Sequence, residues 1–231
     1  MPDLEQSIRN KLSAFKWLML ASSEILRSVR NWPQLFAFFG IYSRSRDFVI
    51  AFRNGLCLFV PRGYPFEPIA ETMFLNVYRL GGEKKSTVID VGAGIGDFTL
   101  MAAKAGASLV IAYEPDGESF RALVENVRRN GLRTVTPVNE AFRSHTLTRL
   151  KGLGEVENID LIKLDCEGCE YEIFLSEGDP VFSRIRRISM EVHDIPGIGN
   201  HLQICDALKH LGFHVSEATI GGGRYVYASR E

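Results

Sequence analysis

Apolar positions change period twice along the chain. Over the first 30 residues they recur at helical spacing, through Leu4, Ile8, Leu12, Phe15, Leu18, Met19, Ile25, Leu26 and Val29. Lys11, Lys16, Glu24 and Arg27 fall between them, which predicts one or two amphipathic helices. An aromatic cluster follows at Trp32, Phe36, Phe38, Phe39 and Tyr42, which either packs or lines a substrate entrance. Residues 48–53 and 56–60 then flank Asn54-Gly55, the favoured dipeptide of a type I′ hairpin turn. After Pro61 and Pro65, residues 68–80 read as a helix stopped by Gly81-Gly82.

From residue 88 onward short apolar runs alternate with helical stretches. Strands are expected over 88–90, 109–113, 134–138, 159–164 and 187–192, and helices over 97–105, 117–130, from near Cys169, and 199–211. A looser helical segment holds Leu147, Leu150 and Leu153, and residues 213–216 and 224–228 close as an antiparallel pair around three glycines, 221–223. The alternation marks a doubly wound, mostly parallel α/β sheet. Strand 159–164 is apolar apart from Lys163, as a central strand buried on both faces should be.

At 231 residues the chain divides into an N-terminal helical and hairpin extension, 1–82, and an α/β domain, 83–231. The longest uncharged run near the start, 17–23, is too short to span a bilayer, and Asp3 and Glu5 do not suit a signal peptide. No transmembrane segment is expected. The N-terminal helices should pack on the main domain or on a second copy of the chain, giving a homo-oligomer, in preference to lying on a membrane surface. Net charge is −1 with Lys and Arg scattered, so no nucleic-acid partner is expected. Four cysteines without a framework of spacings point to a reducing cytoplasm. Cys166 and Cys169 form a C-x-x-C pair, but structural zinc usually needs a second pair, and Cys57 and Cys205 are isolated, so no metal is expected.

The candidate chemistry lies at the carboxyl ends of the strands, where open parallel sheets bind ligands. The first strand runs into Asp90 and a turn with glycine at 92, 94 and 96. Such a turn lets the backbone approach a ligand with no side chain in the way. A dinucleotide fingerprint read from Gly92 would need glycine at 97, where Asp97 stands. The G-x-G-x-G spacing suits S-adenosyl-L-methionine, which has no pyrophosphate to seat. The second strand ends at Glu114, placed to accept from both ribose hydroxyls. The third offers Asn139 and Glu140 to an adenine edge, the fourth Asp165, Cys166, Glu167 and Gly168, and the fifth Glu191 and His193. A bare strand-to-helix turn, a helix-capping acid at 114 and a solvated loop at 139–140 are the alternatives at each place.

The stretches VIDVGAGIGDFTL, AYEPDGESFRALVENVRRNG, PVNEAF, IDLIKLDCEGCEYEIF and ISMEVHD together resemble the FkbM-type family of S-adenosylmethionine-dependent methyltransferases. The resemblance implies a class I, Rossmann-like methyltransferase fold of seven strands and methyl transfer to oxygen. It also implies that Asp90, Gly92, Gly94, Gly96 and Glu114 hold the cofactor, with Asp165, Glu167 and Glu191 near the reacting centre. Ile95-Gly96-Asp97 departs from the usual Gly-x-Phe or Gly-x-Tyr continuation, although Phe98 restores an aromatic residue. The first 87 residues match no motif of the family.

The expected reaction is displacement at the activated methyl carbon by the hydroxyl of a small metabolite or sugar. Asp165 would serve both cofactor and acceptor, and Asp165, Glu191 or His193 would be the base. An imidazole suits proton transfer at neutral pH, but the residues alone do not choose among the three. A nicotinamide-dependent oxidoreductase and a non-catalytic binding module are the competing readings. Asp97 argues against the first.

Overall fold

The computed structural model describes residues 12–40, 46–82, 84, 86–146, 158–175 and 180–230. Residues 12–20 form α1, followed by α2 (Ser22–Ser28) and α3 (Trp32–Gly40). Strands β1 (Phe48–Ala51) and β2 (Cys57–Val60) pair antiparallel as a separate hairpin. A short helix α4 (Glu67–Ile69) continues directly into a π turn, Ala70–Phe74. The main sheet then alternates with helices: β3 (Thr87–Val91), α5 (Asp97–Ala105), β4 (Leu109–Tyr113), α6 (Gly117–Arg129), β5 (Val135–Val138), β6 (Leu161–Leu164), α7 (Cys169–Leu175), β7 (Arg187–Glu191) and α8 (His201–His210). It closes with β8 (His214–Ile220) and β9 (Gly223–Ser229).

The seven strands run in the order β5-β4-β3-β6-β7-β9-β8, parallel from β5 to β7, with β9 antiparallel to both its neighbours. This is the class I Rossmann-like sheet that the sequence leads one to expect. The chain leaves β3 toward β4 and β5, then returns to pair β6 on the other side. The switch point therefore lies between β3 and β6, beside the glycine turn. Side chains alternate across it: Ile89 and Val91 face a core with Leu164, Met190 and Phe174, while Val88 faces Phe98, Tyr78 and Tyr225. Each fully buried Phe or Leu contributes about 1.5–3 kcal/mol.

The N-terminal stripe splits into two faces. Trp17, Leu18, Ala21, Ile25 and Val29 are buried in a core shared with the hairpin and with Ile95 and Leu100, whereas Leu12, Phe15, Met19 and Leu26 are exposed. Leu4 and Ile8 lie outside the described residues, as do Tyr42 and the segment with Leu147, Leu150 and Leu153. Phe38 and Phe39 pack inside, so packing is the fate of the aromatic cluster, although Trp32 stays at the surface. Among the described residues no helix is long and apolar enough to cross a membrane.

Two local expectations need correction. A type I′ turn requires positive φ at both central residues, and Asn54 does not have it; only Gly55 does, at +91°. The loop is instead three residues long, closed by Phe52 N–H to the Leu56 carbonyl at 2.8 Å, with the Asn54 side chain accepting from Leu56 N–H at 3.0 Å. The helix expected to reach residue 80 ends at Phe74, because Leu75 N–H reaches back five residues to Ala70 and Asn76 turns to φ +47°. The wider turn rotates Glu71 and Thr72 toward the sheet, where both are buried.

Candidate active site

The glycine turn is folded over the end of β4: Gly92 and Ala93 N–H both donate to the Tyr113 carbonyl, at 3.0 and 2.9 Å. Gly92 has φ +70°, and a Cβ there would fall on the Asp165 carbonyl, so the backbones at the ends of β3 and β6 touch. A Cβ at Gly94 would stand 2.8 Å from the Tyr64 hydroxyl. Gly96, at φ +91°, precedes α5 and packs on Leu123. Glu114 closes the turn, its Oε2 accepting from Gly94 N–H at 2.8 Å and its Oε1 from Asp116 N–H at 2.7 Å. Burial pushes the Glu114 carboxyl up, and those two N–H groups pull it back.

Beneath the turn lies a buried ion cluster. Lys163 is the register partner of Asp90 on the neighbouring strand, and its Nζ stands 3.2 Å from Asp90 Oδ1. The same ammonium donates to the Gly92 carbonyl at 2.7 Å and lies 3.9 Å from Asp165 Oδ2. Burial works against its charge, but the carboxylates of Asp90, Asp165 and Asp97 outweigh that and hold Lys163 above its ordinary value. Asp90 Oδ2 accepts from Thr99 Oγ1 at 2.5 Å. Asp97 is pushed up to about 6 by burial, with Lys163 acting the other way.

A cleft of about 670 Å³ opens at the switch point. Of the sequence-predicted residues it brings together Gly92, Gly94, Glu114, Asp165, Cys166, Glu167 and Gly168 on one wall or another. Asp90 is fully buried below the turn, and Gly96 lies at the helix start; neither lines the cleft. Asn139 and Glu140 are exposed and stand away from the lining; Asn139 Nδ2 instead donates to the Glu114 carbonyl at 2.8 Å. Ala141, Phe142 and Arg143 line the cleft in their stead, Phe142 edge-on to Tyr113 with ring centres 4.9 Å apart.

Glu191 and His193 lie beyond the cleft wall, with His193 Nε2 3.8 Å from Glu191 Oε1. Glu191 is the register partner of Tyr225. Burial pushes its carboxyl up to about 7, with the Asp165 charge adding to the effect and His193 opposing it. Glu71, from the π turn, is pushed up to about 8 by burial, partly offset by the Tyr225 hydroxyl. Asp165 Oδ2 accepts from the Tyr78 hydroxyl at 2.9 Å, which fixes its carboxylate between the two groups.

Several of these residues escape sequence reasoning. Tyr64, Thr72, Tyr78 and Glu71 come from the 1–82 region and carry no local motif; only the charge at Lys163 in an apolar strand was a visible signal. The C-x-x-C pair also differs from expectation: Cys166 and Cys169 are joined as a disulfide, with Cα atoms 5.5 Å apart. Glu167 at φ +52° and Gly168 at φ +117° turn the backbone so that the two sulfurs meet. That pairing removes these two cysteines from the argument for a reducing compartment.

Two family descriptions match the chain: "Ribosomal protein L11 methyltransferase (PrmA)" over residues 72–161 and "Methyltransferase FkbM domain" over residues 143–215. The first covers the glycine turn and Glu114, the second Asp165, Glu191 and His193. A ribosomal protein L11 methyltransferase of Geobacter sp. (strain M21) is 40% identical over 58 residues, 25% of this chain and 19% of that protein. The chain thus matches about a fifth of that relative's length. Among solved structures, the METTL16 methyltransferase domain superposes with TM-score 0.59 at 17% identity, covering 77% of this chain and 74% of that one. TrmK of M. capricolum, solved with S-adenosylhomocysteine, gives TM-score 0.52 at 13% identity over 68% and 67%. Both matching families are methyltransferase families, and the cofactor they imply is S-adenosylmethionine. The residues present suit it: Gly92 and Gly94 line the cleft with main chain alone, and the Glu114 carboxylate has lone pairs beyond the two it uses.

The expectation of a small-molecule acceptor and no nucleic acid does not stand. The sequence relatives are named for a ribosomal protein, a component of a protein and RNA assembly. A near-zero net charge was no ground for excluding such a partner, because it averages over the whole surface.

Proposed function

We propose that the protein moves a methyl group from S-adenosylmethionine to a nucleophilic oxygen or nitrogen on a polypeptide. The observation that carries the reading is a single cleft with the Gly92–Gly94 cradle and Glu114 on one side and the Tyr78-anchored Asp165 on the other. In this reading Gly92, Gly94 and Glu114 hold the cofactor, while Asp90, Gly96 and Asn139 act through the turn that they brace. Residues 1–82 form a cap that carries Tyr64 and Thr72 to the cleft, and 83–231 form the cofactor-binding domain. The polypeptide acceptor is supported by the names of the sequence relatives.

When bound, the cofactor supplies an electrophilic methyl group on a sulfonium. The chain's own residues orient the acceptor and take its proton. Asp165 lines the cleft and orients it; Glu191, behind the cleft wall with its carboxyl near 7, is partly ionised at neutral pH and receives the proton by way of Asp165, whose charge it feels. His193, 3.8 Å away, relays it outward.

Ribosomal subunits incubated with methyl-labelled S-adenosylmethionine test the acceptor class. Label that survives ribonuclease and is lost to protease supports a polypeptide; label lost to ribonuclease makes RNA the acceptor. Mass spectrometry of the labelled peptide then separates oxygen from nitrogen. Activity should rise with pH through about 7 as Glu191 ionises. Glu191→Gln should remove that limb and lower kcat by about 100-fold. An unchanged profile would take the base role from Glu191.

A further inference from the structure

The loop that follows β6 carries a feature that methyl transfer does not use. Cys166 and Cys169 are joined across it, and both line the cleft on either side of Glu167 and Gly168. Both are half-buried, so a reagent entering the cleft reaches the sulfurs. The other two cysteines differ: Cys205 is buried in the core, and Cys57 sits on the hairpin away from the cleft. Directly behind the pair stands Glu170, fully buried. Its Oε2 accepts from Gly168 N–H at 2.7 Å, inside the turn that the disulfide closes. Its Oε1 has no hydrogen-bond partner. A carboxylate oxygen of Glu170 and both sulfurs lie within 4.8 Å of one another. A buried acid with an unused oxygen beside a sulfur pair has one economical use, which is to carry a proton to or from sulfur. Burial, which pushes the Glu170 carboxyl up, favours the protonated form that such a role requires.

We propose that Cys166 and Cys169 are a reversible thiol–disulfide site in the cleft wall, exchanging with a dithiol, and that Glu170 is its proton carrier. A thiolate of the dithiol attacks one sulfur, and the Cys166–Cys169 bond breaks. The other sulfur leaves and takes the proton from Glu170. The second thiol of the reductant then attacks the mixed disulfide and closes its own disulfide, releasing the protein dithiol. Two electrons pass from the reductant to the protein, two protons move with them, and Glu170 recovers its proton from the reductant thiols. Reduction removes the cross-link over Glu167 and Gly168, both held at positive φ, and frees the loop next to Asp165. The site therefore reports redox state to the cleft whether or not the polypeptide reading holds.

The test uses the whole protein equilibrated in ratios of reduced to oxidised dithiothreitol, quenched with acid, alkylated and read by intact mass and peptide mapping. Cys166 and Cys169 should gain alkyl groups together as one two-electron couple, without a plateau of singly modified protein, while Cys57 and Cys205 do not follow the ratio. Glu170→Gln should slow reduction by about tenfold or more at neutral pH. Should that variant not fold, the wild-type reduction rate against pH replaces it, and a rate that tracks only the dithiothreitol thiolate overturns the part given to Glu170. Independent alkylation of the two cysteines at every ratio overturns the site. So does stoichiometric zinc uptake by the reduced protein that blocks alkylation until a chelator is added, which would make the trio a metal site instead.

Discussion

The two sides of the cleft are built by different means. On the donor side, β3, the glycine turn and Glu114 lie within 28 residues of sequence, and both carboxylate oxygens of Glu114 accept main-chain hydrogen bonds. On the acceptor side, groups converge from the π turn, β6, β7 and β9, and Glu170 Oε1 and His193 Nδ1 are buried without hydrogen-bond partners. A buried polar atom left unsatisfied costs about 1–3 kcal/mol, and both sides hold such atoms, Asp90 Oδ1 and Asp97 Oδ2 beside the glycine turn among them. The donor side is assembled from one short stretch of chain. The acceptor side is assembled from stretches far apart.

Four substitutions break or sharpen this contrast, taken from the largest effect. Lys163→Met leaves Asp90 charged and buried with its ammonium gone, and should cost about 3–5 kcal/mol in urea unfolding. A loss under 1 kcal/mol would mean that Asp90 protonates at little cost and that the cluster does not hold the two sides together. Gly92→Ala adds a Cβ against the Asp165 carbonyl at a positive φ, and should cost about 2–5 kcal/mol with cofactor binding lost by calorimetry. Retained binding would show that the β3 and β6 ends can separate. Glu114→Ala should weaken S-adenosylmethionine binding by roughly tenfold, the strength of one charge-assisted hydrogen bond, and Asp165→Ala by less. The reverse order would move the cofactor to the acceptor side.

A further test concerns pH. Asp97 titrates near 6 in the folded chain, above its ordinary value, because burial disfavours its charge. Its contribution to stability is therefore complete below pH 4 and is lost as pH rises through 6, by on the order of 2–3 kcal/mol. Asp97→Asn should flatten the melting temperature between about pH 4 and pH 6. An unaltered slope would assign the titration to another group, with Glu71 and Glu191 next in line.

The same contrast explains what could be read from the sequence. Helix α5 and strand β4 fall on their expected bounds, and α6 ends one residue early, because glycines and apolar runs act within a few residues of themselves. Asn139 and Glu140 were placed against the adenine edge by strand-end logic, yet a side chain that reaches back to the Glu114 carbonyl cannot also line the cleft. Tyr78 and Glu71 meet Asp165 and Tyr225 from 87 and 154 positions away, and no local pattern encodes such a meeting. The π turn was missed for a related reason, since one widened hydrogen bond has no composition of its own.

Asn126 on α6 is fully buried, and it spends its amide on two distant partners. Its Nδ2 donates to the Ile95 carbonyl at 2.8 Å and the Phe59 carbonyl at 2.9 Å, and its Oδ1 accepts from Phe59 N–H at 2.6 Å. Asn130, one turn on, binds Cys57 in the same two-way fashion. Strand β2 is thus hydrogen-bonded on its outer side by two side chains made some 70 residues later. On the ribosome, at about 5–20 residues per second, the hairpin waits several seconds with that edge open before α6 is synthesised to cover it. The outer edge of the hairpin is therefore closed only when α6, made later, packs on it.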